Sequence, residues 1–480
     1  MSNPTYFFDP VVPEPVPEVP RVQDPWAVAI GNASLLGVGY LMVRKRALAV
    51  VSVAVTVVLV SLLVSSANGA YQIAVLAWWA LVVAHGWFLA HRSVHRGSSR
   101  GMRVVAVAVT LPVLLAVGLL RLDASDIGQQ VTEAREKGDC AEVTDAQDGV
   151  WFGNRAANAP LAARGDDSVA ACDRLSTARS DLTTALTGDT ESLSDGFDTL
   201  ESVLAEPGND KTVETTLNSF LGRLETRNPC GTVAVTDWLR DREPTDNVLD
   251  RSVASAERVA PGALAGCGKA LMEDSNWEQA RSQYARLLDL YPDDRLADQA
   301  RGGVRKATQN IELANVRTLL APSTSGAPEY CSKPAKYSGA KARGKGTNRA
   351  MFFAGGSYAT DYSEQLPGSW KASDAADAVL VVCMGEDTFG TSVETCPYEG
   401  RTSGSTVNVT FHKIEIPVKV YELRTGKLVS NRKLQVGGES CPAILTYYTS
   451  SESDTGPPRD RYVDESGSDV KAAFRSLIVR

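Results

Sequence analysis

Apolar and polar residues are distributed very unevenly along this 480-residue chain. Three apolar runs without charge lie near the N-terminus, at 47–66, 71–90 and 104–120, and the chain is polar after Arg121. A helix needs about 20 apolar residues to cross roughly 30 Å of hydrocarbon. The third run is shorter and contains Pro112, which a membrane helix tolerates as a kink. The pattern predicts three transmembrane helices followed by a polar region of residues 122–480.

The stretch before the first run is apolar but interrupted. Residues 26–43 contain three glycines and continue directly into the basic residues 44–46. They could form a fourth span, or a half-inserted or interfacial helix followed by a glycine-rich turn. The second interpretation is favoured, because too few residues separate this stretch from the first span for a turn between two full spans. Residues 1–25, rich in Pro, Val and Glu, are predicted to be a disordered tail.

Residues 122–320 read as helical. Helix-breaking pairs such as Pro207-Gly208 and Pro261-Gly262 divide this region into segments of helix length. Within residues 275–307, small and apolar residues recur at helical spacing, and Tyr291-Pro292 marks the end of the first of two helices. Small residues opposite large ones would allow these two antiparallel helices to approach closely.

The pattern changes from helical to alternating after a short linker at residues 321–330. The continuously apolar AVLVVCM at 378–384 is typical of a strand buried on both faces. Apolar positions in 407–420 alternate but change parity at His412-Lys413, which predicts a β-bulge. Gly426 is expected at positive φ in a hairpin turn, and Ser468 is expected to cap a C-terminal helix. Residues 331–480 are therefore predicted to form an α+β domain.

Basic residues set the expected orientation in the membrane. Residues 44–46 precede the first span, and four arginines lie between residues 92 and 103, whereas the loop at 67–70 has no charge. Short loops rich in Lys and Arg remain in the cytoplasm. The sequence therefore predicts a multi-pass cell-membrane protein whose residues 122–480 are extracytoplasmic.

The cysteines agree with this orientation, because all eight lie after Arg121. An even number on the outer side predicts disulfides in an oxidising compartment, although buried free thiols are the alternative. No two of them form a CxxC pair, which leaves zinc or thioredoxin-like chemistry with little support. Connectivity does not follow from spacing alone. The expected pairs are Cys140–Cys172, Cys230–Cys267, Cys331–Cys441 and Cys383–Cys396.

Few residues carry recognisable chemistry. There is no GxSxG or HExxH motif, and His412 is the one histidine after Arg121. No catalytic, cofactor or metal site is predicted, and the protein is not expected to be an enzyme. Residues 121–480 hold 53 of the 57 acidic residues but 41 of the 49 basic ones, which argues against a nucleic-acid partner.

One basic segment stands out in this acidic region. Residues 339–347 come within one residue of a phosphate-binding P-loop, but the segment CSKPAKYS before them is not a strand. A solvated basic loop is the favoured interpretation. Together with Lys333, Lys336 and Arg349 it could bind an anionic polymer.

The predicted helical hairpin resembles a tetratricopeptide repeat of the kind found in bacterial envelope proteins. Gly302-Gly303 departs from the repeat pattern, and no second clear copy is present, although three or more are normally needed for a self-standing stack. An ordinary helical hairpin is the alternative. The resemblance implies that Trp277, Arg281, Gln283 and Tyr284 are candidate partner-binding residues. The matching positions are Trp277, Ala280, Tyr284, Leu288, Tyr291, Pro292, Ala297 and Ala300.

The chain as a whole resembles a group of uncharacterised actinobacterial multi-span membrane proteins with a tetratricopeptide-repeat-like extracytoplasmic region. The resemblance rests on GNASLLGVGYLMVRKR, WWALVVAHGWFLAH, WEQARSQYARLLDLYP, and VYELRTGKL with GGESCP. It implies an architecture and no reaction.

Two functions fit this architecture. The first is a non-enzymatic envelope scaffold that presents the helical region and the α+β head to another envelope protein. The alternative is a membrane-anchored receptor or sensor that binds a small or polymeric ligand through residues 331–480. A concave, mostly apolar pocket in 331–480 would favour the receptor, whereas an exposed apolar groove along the helices would favour the scaffold.

The orientation can be tested with reporter fusions. Fusions after Ala70 and Asp126 should report an outside location and a fusion at Ser98 an inside one, because the basic loop stays in the cytoplasm. A cytoplasmic reading at Asp126 would contradict the predicted compartment.

Overall fold

The computed structural model describes residues 23–66, 69–92, 98–323, 326–356, 360–400, 404–448 and 456–480. The chain divides into two compact units, residues 1–260 and 261–480, and each is described by itself. Nearly all of the predicted disordered tail lies outside the described residues. The sequence predicts more segments than these two units, and the boundaries of those segments stay a prediction.

The first unit begins with two short helices, α1 (Pro25–Ala33) and α2 (Val38–Met42). The turn between them places Leu35 and Gly37 at positive φ, 62° and 69°. Nine residues of α-helix rise only about 14 Å, which is too short to cross a membrane. Residues 26–43 therefore do not form a fourth span.

Three helices are long and apolar enough to cross a membrane: α3 (Arg46–Ser66), α4 (Gly69–His91) and α5 (Arg100–Lys137). They contain the three predicted apolar runs, which confirms that part of the interpretation. Helix α5 is 38 residues long, passes through Pro112 without a break and continues well beyond the apolar run.

Helices α1 and α2 form a hairpin that enters and leaves on the same side of these spans. Asp24 caps the N-terminus of α1 and pairs with Arg103 at the start of α5, at 2.6 Å. At the other end of α1, the Ala33 carbonyl accepts a hydrogen bond from Trp79 Nε1, at 3.1 Å. Trp79 lies about 18 Å along α4 from His91, where that helix ends. The chain then returns to Arg46, where α3 begins, so both ends of the hairpin lie near the same end of these helices.

The rest of the first unit is helical, as predicted. One apolar core contains Leu175, Leu182, Leu193, Phe197 and Leu217, all at most 2% exposed. Its helices are α6 (Cys140–Asp148), α7 (Phe152–Ala157), α8 (Ala159–Ala185), α9 (Thr190–Leu204), α10 (Asp210–Leu221), α11 (Pro229–Asp241) and α12 (Arg251–Glu273). Pro261, expected to end a segment, lies inside α12, which continues into the second unit.

In the second unit, α13 (Trp277–Leu290) and α14 (Ala297–Leu319) pack against each other as the predicted hairpin. Tyr284 is 5% exposed, and its ring lies against Gly268 of α12 and Gly303 of α14. A Cβ atom at either glycine would come within 2.8 Å of the ring. Gly303 therefore admits a large side chain at the helix contact, and the glycine pair does not interrupt α14.

The sheet of the second unit is built around one long strand. Its strands are β1 (Ala350–Ala354), β2 (Leu380–Met384), β3 (Thr388–Glu399), β4 (Thr406–Glu422), β5 (Lys427–Val436) and β6 (Asp460–Tyr462). Strands β3 and β2 lie along one side of β4, and β6 and β5 lie along the other. Strand β1 extends the sheet in parallel beside β2.

Helices cover both faces of this sheet. All five residues of β2 are buried, which confirms the strand predicted at 378–384. Leu380 and Val382 share a core with Phe474 of α15 (Gly467–Ile478), whereas Val381 shares a core with Val316 of α14. The predicted combination of a helical region and an α+β region is therefore present.

Local details confirm some predictions and correct others. Gly426 has φ 67° in the turn between β4 and β5, as expected. Buried positions in β4 change parity across His412-Lys413, but the extra residues lie on β3, opposite His412. Ser466, and not Ser468, caps α15, because the Ser466 hydroxyl accepts a hydrogen bond from Asp469 N. The Ser466 main-chain N–H donates in turn to the Asp469 carboxylate, which completes a capping box.

The disulfides agree with the expected pair in the first unit but not in the sheet, where Cys331–Cys441 and Cys383–Cys396 were expected. Cys140–Cys172 is confirmed, with a Cα–Cα distance of 5.5 Å, and Cys230 and Cys267 are also disulfide-bonded. The other pairs are Cys331–Cys383 and Cys396–Cys441.

The reason for this correction lies in the register of the sheet. Cys383 pairs with Lys419 and Cys396 with Val409 on β4. Ten positions of extended strand span about 33 Å, far beyond the reach of a disulfide. Cys383 instead lies in the core that also contains Tyr330, where Cys331 packs.

The adjacent glycines of α14 provide a matched stability test. Gly303→Ala should lower the free energy of unfolding by roughly 1–3 kcal/mol, because its Cβ would overlap the Tyr284 ring. Gly302→Ala meets only Arg305 Nη2 at 3.9 Å and should stabilise the helix by up to about 1 kcal/mol. Urea titrations of the full chain in detergent measure both. Equal effects of the two substitutions would contradict this packing.

Candidate ligand-binding site

The predicted partner-binding residues of α13 differ in their exposure. Arg281 is exposed and pairs with Glu278 at 2.9 Å, while Trp277 is half-buried. Gln283 is half-buried and accepts a hydrogen bond from Arg286. Tyr284 is buried inside the hairpin, so its ring cannot face a partner in this conformation.

The hairpin also lacks an extensive apolar surface. Of the large apolar side chains in 277–319, a range that is described throughout, only Leu290 is classed as exposed, at 47%. One such residue does not form a groove.

The loop that resembles a P-loop is organised by a buried asparagine. The Asn348 side chain accepts from Gly344 N and donates to the carbonyls of Gly344, Gly346 and Ile478. Gly346 N donates to the Arg480 carbonyl, at 3.0 Å. These amides are therefore engaged within the protein and do not point at a phosphate site.

The basic residues around this loop are partly neutralised. Lys333 pairs with Glu329 at 2.7 Å and Lys336 with Glu312 at 3.2 Å, whereas Lys341 and Lys345 are exposed. Binding of an anionic polymer here stays a prediction.

A cavity of about 630 Å³ opens at the end of the sheet where β3, β4 and β6 meet. Its volume is within the range of small-molecule sites. The segment 439–446, which follows β5, closes one side. The apolar lining residues are Phe389, Phe411, Pro442, Ile444, Leu445 and Val463.

The segment 439–446 is held by bonds to the strands. Tyr398 donates to the Pro442 carbonyl at 2.9 Å, and Arg461 donates to the Thr446 carbonyl at 3.2 Å. The Cys396–Cys441 disulfide ties the same segment to β3. The segment 439–446 is therefore attached both to β3 and to β6.

Aromatic rings form the most distinctive surface of the cavity. Phe389 is 49% exposed and Tyr462 is 38% exposed, and their ring centroids lie 4.4 Å apart at an interplanar angle of 35°. The His412 ring also lies near Phe389, with the two ring centroids 5.2 Å apart. Exposed aromatic rings of this kind offer flat apolar faces to a ligand.

Polar groups line the rim. The carboxylates of Glu439, Asp460 and Asp464 lie among the lining residues together with the Arg461 guanidinium. Burial and the nearby Asp387 carboxylate raise the pKa of the Tyr462 hydroxyl, so Tyr462 stays neutral at physiological pH. The rim carries more negative than positive charge.

Both ring nitrogens of His412 are engaged. Nε2 lies 2.8 Å from an Asp460 carboxylate oxygen, and Nδ1 lies 3.2 Å from the Gly390 carbonyl oxygen. Neither nitrogen therefore faces a hydroxyl that it could activate.

Glu394, Cys396 and Cys441 bring three potential metal-ligand atoms within 4.8 Å of one another. Both sulfurs are consumed by the disulfide, so this group is not a metal centre.

Phe389 and Tyr462 were not among the residues predicted from the sequence. One signal was present, because Phe389 is the lone aromatic residue in the mainly polar segment TFGTSVE. Comparisons of the chain with protein-family models, curated proteins and solved structures give no match, so the two resemblances stay predictions.

The disulfide at the cavity can be tested by removing it. Replacing Cys396 and Cys441 together with serine should accelerate amide hydrogen exchange in 438–446 and destabilise the second unit by about 2–4 kcal/mol. The matched control replaces Cys140 and Cys172, which lie in the first unit, and should leave exchange in 438–446 unchanged. If exchange in 438–446 were unchanged when Cys396 and Cys441 are replaced, the hydrogen bonds from Tyr398 and Arg461 would be enough to hold the segment without the disulfide.

Proposed function

We propose that the protein is a non-enzymatic, membrane-anchored receptor or sensor of the cell envelope that binds its ligand in the cavity beside Phe389 and Tyr462. The observation that carries this proposal is the cavity itself, with exposed aromatic rings and a carboxylate rim within residues 331–480. About half of the lining residues are apolar, and a concave site that combines apolar surface with converging polar groups is a common form of ligand pocket.

The lining restricts the chemistry of the ligand. Asp460 is paired with His412. The other two carboxylates still outnumber the one guanidinium, which disfavours an anionic ligand. The rings favour a ligand with a flat or aliphatic body, such as a sugar ring or an alkyl chain. A neutral or cationic molecule or polymer that combines such a body with hydroxyl or amino groups fits both properties.

The geometry of His412 supports a non-enzymatic role, because its ring nitrogens are held by Asp460 and Gly390. A relay of the serine-hydrolase type needs one imidazole nitrogen on the nucleophile.

An extracytoplasmic location of residues 122–480 is supported by two independent features. The basic residues flank the cytoplasmic ends of the predicted spans, and all eight cysteines are disulfide-bonded. Structural disulfides persist in oxidising compartments. The ligand is therefore sought outside the membrane.

The scaffold function is a second candidate, and the hairpin α13–α14 favours it. The close packing of Tyr284 between two glycines supports the resemblance to a tetratricopeptide repeat, in which small residues admit large ones at helix contacts. Arg281 and Gln283 would then meet an envelope protein.

The receptor proposal is tested by ligand titration of the full chain in lipid nanodiscs. The probes are a neutral N-acetylated amino-sugar oligosaccharide, a cationic peptide and an anionic polymer. Phe389→Ala and Tyr462→Ala should each weaken binding of the neutral or cationic probe about tenfold. Val393→Ala is the control, because Val393 is 43% exposed on the same strand but does not line the cavity.

Two outcomes would count against the receptor. Equal affinities of the Phe389, Tyr462 and Val393 variants would place binding elsewhere. A loss of captured envelope proteins on Arg281→Glu, with no probe bound by the cavity, would favour the scaffold.

A further inference from the structure

Two large aromatic residues of the first unit lie on its surface outside the three spans. Trp151 is 57% exposed and the adjacent Phe152, at the start of α7, is 58% exposed. Exposing two such side chains to water is unfavourable, since each carries a large apolar area.

Contacts fix α7 at the point where the apolar run of α5 ends. Arg121 Nε donates to the Ala157 carbonyl at 2.9 Å, and Asn154 donates to the Asp123 carboxylate at 2.7 Å. A Cβ atom at Gly153 would lie 3.0 Å from a Leu120 methyl carbon. Helix α7 therefore lies at the level of the membrane boundary of α5.

Two leucines of α5 at the same level are exposed, beside the charged Arg121 and Asp123. Leu119 and Leu122 are 66% and 67% exposed, as expected for side chains that face lipid. Helix α7 packs against α3 as well as α5, so it is anchored on two of the three spans. The apolar surface of the spans thus continues onto Trp151 and Phe152.

We infer that Trp151 and Phe152 insert into the headgroup layer of the leaflet where α5 leaves the hydrocarbon. We take the bilayer as the partner of this aromatic pair, because α7 packs directly against α3 and α5, the helices that would face lipid. Tryptophan is enriched at this depth, where its ring meets both apolar and polar surroundings. The pair holds the helical region of the first unit against the membrane surface.

The test measures the depth of residue 152 in the intact protein. All eight native cysteines are disulfide-bonded, so the thiol of Phe152→Cys can be spin-labelled selectively. Leu115→Cys, 59% exposed within the span, and Thr183→Cys, exposed near the end of α8, provide the lipid and water references. Power saturation in nanodiscs compares access to oxygen with access to a water-soluble nickel chelate.

The label at 152 should show an oxygen-to-nickel ratio between those of the two references and clearly above that at 183. A ratio equal to that at 183 would overturn the inference. A second measurement does not depend on labelling. Brominated lipids should quench wild-type fluorescence more than that of Trp151→Phe, and equal quenching would also overturn it.

Discussion

A backbone that crosses hydrocarbon must form hydrogen bonds among its own N–H and C=O groups. Helix α5 meets this constraint, and the positions of other parts of the first unit depend on it. The helix does not stop at the membrane boundary but continues unbroken to Lys137. Arg103 near one end pairs with Asp24 of the α1–α2 hairpin, and Arg135 near the other donates to the Pro207 carbonyl at 2.8 Å. One rigid element therefore positions both the hairpin and the loop between α9 and α10.

The α1–α2 hairpin packs against α4 through buried polar groups that are hydrogen-bonded. Asn32 is fully buried, donates to the Val82 carbonyl at 3.2 Å and accepts from Tyr40 N at 3.1 Å. The Tyr40 hydroxyl lies 2.9 Å from His85 Nδ1. Polar groups at this depth are costly unless they find such partners. Gly86 provides the space, since a Cβ atom there would overlap the Asn32 amide.

Features determined by local periodicity could be predicted from the sequence, whereas features determined by distant contacts could not. The three apolar helices, the buried strand at 380–384 and the turn at Gly426 all follow from patterns within a few residues. The partner of Cys383 depends on the register of β2 against β4. Predicting the cavity would have required the pairing of two further strands. Phe389 and Tyr462 lie far apart in the chain and are brought together because β3 and β6 both pair with β4.

The same strand explains why the cavity forms at this end of the sheet. The register of β3 against β4 shifts on both sides of the Ser392–His412 pair. Extra residues in one strand bend it and redirect its side chains. Phe389 lies immediately before this irregularity, and β6 pairs with the same part of β4, from Thr410 to His412. The parity change at His412 thus marks both the irregularity in the sheet and the place where an exposed aromatic surface is built.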